Sequence, residues 1–275
     1  MKTIATKLAI ALTLVAGSAF AGKGGSNAKI VAAVQSHSTD AIIAEVERAE
    51  GLICDECIQT VTNLTEDNRY EVREVAAWWF AKRPGLQKVL AAQFKQDLIG
   101  GDSTRVRNAA DFLGATVDYT SLPALRQAIA RSGLNTDAKL AIVRAVGALK
   151  HTGGNGILAT AMGDQDAAVR VAAINAWRDV LGQTSVTPVE AKLVDGDAKV
   201  RAAAATVVGA YADRNARSTL EQLVTTDADP FVRRNAAWAL GQIGSRDSAA
   251  ALTQAAQDKS GLVKMVAKAS LASLK

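Results

Sequence analysis

Apolar residues recur along this chain with the period of an α-helix. In the stretch DADPFVRRNAAWALG, from Asp227 to Gly241, small apolar residues follow Val232 four, five and seven places later, and a large one follows eight places later. This spacing places one apolar stripe along a helix. We find no run of four to eight alternating residues with turn signals on both sides, which a half-buried strand would show. The pattern therefore predicts an all-α chain.

The same phrase returns about every 31 residues, as in DQDAAVRVAAINAW from Asp164 and DGDAKVRAAAATVVG from Asp195. The basic residues that follow the valine are Arg73, Arg107, Arg170, Arg201, Arg233 and Lys264. The gap of 63 residues between Arg107 and Arg170 spans two periods, and the copy inside it carries Leu140 and Ala141 at the aligned pair. About seven units therefore fill residues 28–275 and leave no room for a separate catalytic domain.

Each unit predicts two helices, and the second begins after the acidic turn. An aspartate three residues before the valine is suited to accept a backbone N–H as an N-cap. The predicted N-caps are Asp166, Asp197 and Asp229. Glycine is common just after a helix ends. The glycines predicted to end helices are Gly114, Gly241 and Gly244.

The phrase D-x-D-x-x-V-R-x-x-A-A-x-A-L-G resembles the HEAT repeat, in the short form also found in HEAT-like proteins of the phycobilin-lyase type. The resemblance covers roughly residues 28–275. It implies an α-α superhelix, or α-solenoid, of antiparallel helix pairs with a concave partner-binding surface. It also implies a structural ladder in which arginines pair with the acidic turn of an adjacent unit. The predicted ladder comprises Asp166, Asp197, Asp229, Arg73, Arg107, Arg170, Arg201 and Arg233.

The first residues have the pattern of a secretory signal peptide rather than of a fold. Basic residues precede an apolar run, and Ala19-Phe20-Ala21 is a cleavage site of the A-x-A type. We expect cleavage after Ala21, a flexible leader over residues 22–27, and a periplasmic or secreted protein. No later stretch is apolar over the ~18 residues that a membrane span needs. The net charge of +5 is spread along the chain, which does not favour nucleic-acid binding.

The chain has two cysteines, Cys54 and Cys57, whose spacing places both on one helical face. After export, a local disulfide is the expected state. A redox pair, a metal ligand pair or free thiols remain as alternatives. A c-type haem site would need histidine where Ile58 stands, and a zinc site needs four ligands. We therefore predict no metal and no cofactor.

Aromatic residues make up only 4% of the chain, and two of them stand where the repeat is usually polar. Trp78 and Trp238 both lie at the sixth place after the valine, on the helix that lines the concave face in proteins of this resemblance. Exposed aromatic and arginine side chains often anchor interfaces. Packing against the next unit is the competing interpretation. The predicted partner-binding residues are Trp78, Trp238, Phe112, Arg234 and Glu74.

Three functions follow from these features. The leading hypothesis is an exported, non-enzymatic scaffold or adaptor that binds a protein or peptide of the cell envelope, because no known catalytic frame surrounds His37 or His151. The second is a thiol-redox or metal-responsive protein that uses Cys54 and Cys57. The third is a lyase-type HEAT-like protein, by analogy of fold alone. An export signal fits poorly with attaching pigments inside the cell.

Overall fold

The computed structural model describes residues 27–51 and 54–274. The predicted signal peptide at 1–21 and nearly all of the predicted leader at 22–27 lie outside the described residues. The described residues form α-helices, short 3₁₀ turns and loops, without strands. The α-helices are α1 (Ala28–Gln35), α2 (Thr39–Arg48), α3 (Asp55–Leu64), α4 (Tyr70–Ala81), α5 (Pro84–Gly100), α6 (Ser103–Ala115), α7 (Leu122–Ile129), α8 (Thr136–Leu149), α9 (Asn155–Ala161), α10 (Ala167–Arg178), α11 (Thr187–Glu190), α12 (Ala198–Ala210), α13 (Arg217–Thr226), α14 (Pro230–Ile243), α15 (Ala249–Ala255) and α16 (Gly261–Ala272).

These helices follow one another in pairs, and the second helix of each pair has the even number. Within the described residues there are eight pairs, which are the seven predicted units and the pair α1–α2 before them. The predicted all-α solenoid of helix-pair repeats is confirmed. The chain also divides into two larger parts, each made of four helix pairs. We call them the N-terminal unit, which ends at Leu149, and the C-terminal unit, which begins at Lys150.

The acidic turns cap the second helices as predicted. The Asp166 carboxylate accepts the backbone N–H of Ala168 at 2.8 Å, and Asp229 accepts that of Phe231 at 2.7 Å. Asp197 accepts two backbone N–H groups in the same way. The small residues then face inward: Ala236 and Ala237 are fully buried, as are Ala239 and Leu240. The second helices α10, α12 and α14 therefore each begin at a capping aspartate, and the apolar stripe of α14 is buried.

Glycine has two different roles in these helices. Gly244 has a φ of +70° and ends α14, as predicted. Gly114 lies inside α6 and Gly241 inside α14, so the prediction that they end helices is wrong. A Cβ at Gly114 would lie 2.6 Å from the Cα of Ala145 on α8. Glycine is needed at this position because the second helices of neighbouring pairs approach closely there.

Candidate functional site

An ionic ladder joins successive pairs of the C-terminal unit. Arg170, Arg201 and Arg233 each donate from Nε and from a terminal nitrogen to one carboxylate of the following turn. The three acceptors are Asp195, Asp227 and Asp258. The ladder acid is thus the aspartate that lies two residues before the N-cap position of a second helix. Asp197 and Asp229 are themselves N-caps. The prediction that Asp166, Asp197 and Asp229 are the ladder acids is therefore wrong: these three are the N-caps, and the ladder arginines pair with other aspartates.

The ladder is interrupted in the N-terminal unit. In α4 and in the C-terminal unit, the ladder arginine is the fourth residue after the N-cap. In α6 the N-cap is Asp102, so its fourth residue is Val106 and Arg107 is the fifth. The assignment of Arg107 to the ladder is therefore wrong by one position. Arg107 has the place of Arg234, and both donate from Nε to the next residue, Asn108 at 3.1 Å and Asn235 at 2.9 Å.

The same shift of one residue corrects Phe112. We call the ninth residue after the N-cap of a second helix the slot position; it is the variable place of the repeat, held by Trp78 in α4 and Trp238 in α14. In α6 the slot residue is Asp111, and the next residue, Phe112, packs in the core. Phe112 is 1% exposed, and its ring centroid lies 4.7 Å from that of Phe94. It cannot contact a partner from that position.

The next second helix places an arginine in the slot. The side chain of Asn135 accepts the backbone N–H of Ala138 at the start of α8, which makes Asn135 the N-cap and Arg144 the slot residue. Successive slot positions of α4, α6 and α8 thus hold Trp78, Asp111 and Arg144. A row of slot residues in the N-terminal unit therefore carries both an aromatic ring and opposite charges.

Asp111 is the centre of this group, which we call the slot cluster (Tyr70, Arg73, Arg107, Asp111 and Arg144). The Asp111 side chain is 1% exposed and accepts hydrogen bonds from two guanidinium groups. The Nε atoms of Arg73 and Arg144 lie 3.0 Å from its Oδ2 and Oδ1, respectively. Arg73 also donates to the backbone oxygens of Asp67 and Asn68. A buried carboxylate between two guanidinium groups leaves one positive charge in excess.

Arg107 adds a second excess charge. No ion pair involving Arg107 is present in the described part of the chain. Burial, followed by the nearby charge of Arg73, lowers the pKa of Arg107, and Arg144 contributes in the same direction. A lowered pKa means that the site disfavours the guanidinium charge as it stands. A negatively charged ligand at this place would offset the part of this effect that comes from the charges of Arg73 and Arg144.

Tyr70 gives the cluster an aromatic wall. The guanidinium carbon of Arg144 lies 4.4 Å from the centroid of the Tyr70 ring, a cation–π distance. The Tyr70 hydroxyl donates to Glu74, one of the predicted partner-binding residues, at 3.1 Å. Burial, and then the charge of Glu74, raise the pKa of Tyr70 to about 12. Glu74 is exposed at the edge of the cluster.

The other predicted binding residues are divided between the two units. Trp78 is half-buried, with the Lys82 ammonium 5.4 Å from its ring centroid. Trp238 is half-buried, and a Cβ at Gly209 would meet its ring at 2.8 Å. The guanidinium carbon of Arg234 lies 5.5 Å from the ring centroid of Phe231, which is exposed. The Trp238 ring thus packs on a neighbouring second helix, and its predicted contact with a partner stays a prediction.

The two cysteines lie at the start of α3. The structure joins Cys54 and Cys57 by a disulfide, and the Cys54 sulfur also caps the helix by accepting the backbone N–H of Cys57. Cys57 is fully buried. Across residues 27–51 and 54–274, no group of three or more His, Cys, Asp or Glu side chains is arranged to hold a metal ion. In the same residues, no helix is both long and apolar enough to cross a membrane.

Sequence reasoning missed Asp111, Arg144 and Tyr70 as site residues. A signal for Asp111 was present, because RNAADFLG from Arg107 and RNAAWALG from Arg234 agree at six of eight places. Aligning these two phrases, instead of the two Val-Arg pairs, places Asp111 opposite Trp238. The charges of Arg73 and Arg144 that meet at Asp111 come from different repeats, and no local motif relates them.

The helix pairs and their ionic ladder define an α-solenoid repeat protein. Residues 186–272 match the family model of HEAT repeats, which agrees with the resemblance found in the sequence. No curated protein matches the sequence. Among solved structures, YibA of E. coli is 13% identical with a TM-score of 0.59, over 90% of this chain and 93% of that one. Human deoxyhypusine hydroxylase in complex with glycerol is 20% identical with a TM-score of 0.39, over 90% and 96%.

These comparisons correct the functional hypothesis. The comparisons give no support to a non-enzymatic exported scaffold, and that interpretation of this chain is withdrawn. Repeats that fill the chain and the lack of a familiar catalytic motif are not grounds for excluding catalysis. Identities of 13% and 20% show no more than the fold, so neither structure assigns an activity. The predicted protein or peptide partner stays a prediction.

Proposed function

We propose that the chain is a HEAT-repeat protein of the lyase type that holds a carboxylate-bearing organic anion at the slot cluster. The observation that carries the proposal is Asp111, a buried carboxylate at a slot position, bonded to Arg73 and Arg144. Burying such charges costs free energy that apolar side chains would not cost.

The chemistry of the cluster favours an anion with an extended π-system. The Arg144 side chain is 41% exposed. Its Nε and one terminal nitrogen donate to Asp111, which leaves the other terminal nitrogen for a ligand. Arg107 makes no ion pair among the described residues, and both guanidinium groups suit a carboxylate. The Tyr70 ring lies beside Arg144 and offers a flat surface for stacking.

A linear tetrapyrrole such as biliverdin is a suitable probe, because it carries two propionate groups on a conjugated chain. We expect its visible absorption spectrum to change when the full-length protein is added. The Arg107→Gln/Arg144→Gln variant should bind it at least about tenfold more weakly, because a hydrogen bond to a charged group contributes about 1.5–3 kcal/mol. Arg178→Gln is the matched control, since Arg178 is exposed and its ion-pair partner among the described residues is the adjacent Asp179.

Two results would count against the proposal. An unchanged spectrum with the wild-type protein would remove a tetrapyrrole-like anion as the ligand class. Equal affinity of the wild type and of the double variant would remove the slot cluster as the site. Circular dichroism of both variants would show whether the helices are intact.

We also propose that residues 1–21 direct export, which no structural feature of the described residues tests. An oxidising compartment would support the Cys54–Cys57 disulfide. Mass spectrometry of the protein from a periplasmic or culture fraction should give an N-terminus at Gly22. The mass should be lower than that of the dithiol form by two hydrogen atoms. An intact Met1 in that fraction would contradict cleavage.

A further inference from the structure

A cleft in the C-terminal unit carries a positive charge that the slot cluster does not account for. It has a volume of about 800 Å³ and lies between the turns that follow α12 and α14 and the end of α16. Three arginines line it: Arg214, Arg217 and Arg246. Its volume falls in the range of small-molecule sites, about 300–1,000 Å³.

The repeat itself positions two of these arginines. Arg214 and Arg246 are each the first residue of a 3₁₀ turn after a second helix, and they are 32 residues apart. Each turn is fixed by its preceding side chain, which accepts a backbone N–H two residues later: Asp213 in one turn and Ser245 in the other. Two successive repeats therefore bring one arginine each to the same cleft.

Arg217 is held in a defined place between them. It donates to Glu221 at 2.9 Å, and its other terminal nitrogen lies 3.6 Å from an Asp247 carboxylate oxygen. Glu221 is in turn bonded by the hydroxyl of buried Ser248 at 2.7 Å. A guanidinium group whose counter-ion is itself fixed is oriented in advance for a ligand.

The charges that line the cleft do not cancel. Its lining contains three guanidinium groups and one carboxylate, that of Asp247. Arg214 and Arg246 are exposed, and neither forms an ion pair with any residue that the structure describes. The lining itself has a net charge of +2, from three positive charges and one negative, and the Glu221 counter-ion of Arg217 lowers the local charge to +1.

We propose that this cleft binds the phosphate group of a small soluble phosphate monoester. A phosphate monoester carries between −1.5 and −2 charges near pH 7 and has three strong acceptor oxygens. Planar guanidinium forks bind those oxygens in pairs. A carboxylate has one charge and two acceptor oxygens, so it can accept fewer hydrogen bonds from Arg214 and Arg246 than a phosphate monoester can.

Isothermal titration of the full-length protein with glycerol 3-phosphate tests this proposal, with acetate as the singly charged probe. We expect one site for the phosphate and weaker binding of acetate. The Arg214→Gln/Arg246→Gln variant should bind the phosphate about tenfold or more weakly. Arg178→Gln, a substitution of an exposed arginine outside the lining, should bind it as the wild type does.

The outcomes are decisive in both directions. Loss of affinity in the double variant, with an unchanged circular dichroism spectrum and a normal control, supports the site. No heat of binding in the wild type, equal affinity in the double variant, or acetate binding as tight as phosphate binding overturns it. The slot cluster and its tetrapyrrole probe lie in the other unit, so either proposal can fail while the other stands.

Discussion

Replacing Asp111 by alanine should be among the most destabilising single changes in this chain. The Asp111 side chain is 1% exposed and the Arg73 side chain 4%, so removal of the carboxylate leaves a buried guanidinium group without its counter-ion. Breaking a buried ion pair from one side costs about 3–5 kcal/mol. Arg144 adds little to this cost, because it is 41% exposed and can turn towards water.

Urea unfolding measures this cost. Tryptophan fluorescence reports on both units, through Trp78 and Trp79 in the N-terminal unit and Trp177 and Trp238 in the C-terminal unit, and circular dichroism reports on all helices. Asp179→Ala is the control, since Asp179 forms an exposed ion pair and its removal should change the free energy of unfolding by less than about 0.5 kcal/mol. Changes in m-value would show that the two units unfold separately, in which case the N-terminal transition alone is compared.

A double replacement isolates the cause. Arg73→Met/Asp111→Leu replaces both charges by apolar side chains of similar length and should recover most of the lost stability, because apolar pairs in such places are often as stable as the ions. Two results would refute the reasoning: an Asp111→Ala variant within about 1 kcal/mol of the wild type, or a double variant as unstable as the sum of its single changes.

Two further predictions concern packing and pH. Gly114→Ala should destabilise the chain by about 1–3 kcal/mol in urea, because its Cβ would meet the α8 backbone, whereas Gly100→Ala has open space and should not; equal effects would contradict the close helix approach. The Arg233 hydrogen bond lowers the pKa of Asp258, so this carboxylate contributes stability above its unfolded pKa of about 3.9 and loses it as pH falls through the lower folded value. Asp258→Asn should therefore be less stable than the wild type near pH 7 and differ from it less below about pH 4; a difference independent of pH would contradict the pairing.

The sequence predicted the repeat fold well, because capping and burial are decided locally. Asp166 and Asp229 accept the backbone groups expected of N-caps, and Ala236 is fully buried as the pattern required. The candidate site was less predictable. The repeat position assigned to each residue of α6 depends on whether it is counted from Val106 or from the N-cap Asp102. The two ways of counting give positions that differ by one residue.

That difference is large in physical terms because neighbouring residues of a helix face different surroundings. Counted from Val106, Phe112 is a slot residue; counted from Asp102, it is a core residue, and its exposure of 1% agrees with the second count. The N-cap is the better reference, since it fixes where the helix begins. The contact between Arg144 and Asp111, which joins different repeats, is visible only in the folded chain.

The interrupted ladder and the charged slot have one common cause, and that cause is testable. Gly100 stands two residues before the N-cap Asp102, where Asp195, Asp227 and Asp258 stand in the C-terminal unit. Arg73 therefore lacks a ladder acid, although it donates to its own turn as the ladder arginines do, and its counter-ion is Asp111.

An acid restored at Gly100 should therefore compensate for the loss of Asp111. A Cβ at Gly100 meets nothing within 4 Å, so Gly100→Asp is sterically acceptable. We expect Gly100→Asp/Asp111→Ala to be more stable in urea than Asp111→Ala by about 1 kcal/mol or more, because Arg73 regains a counter-ion. Gly100→Asn/Asp111→Ala controls for the change in backbone freedom. If both double variants are equally stable, Arg73 does not reach the turn, and the ladder and the slot cluster are independent features.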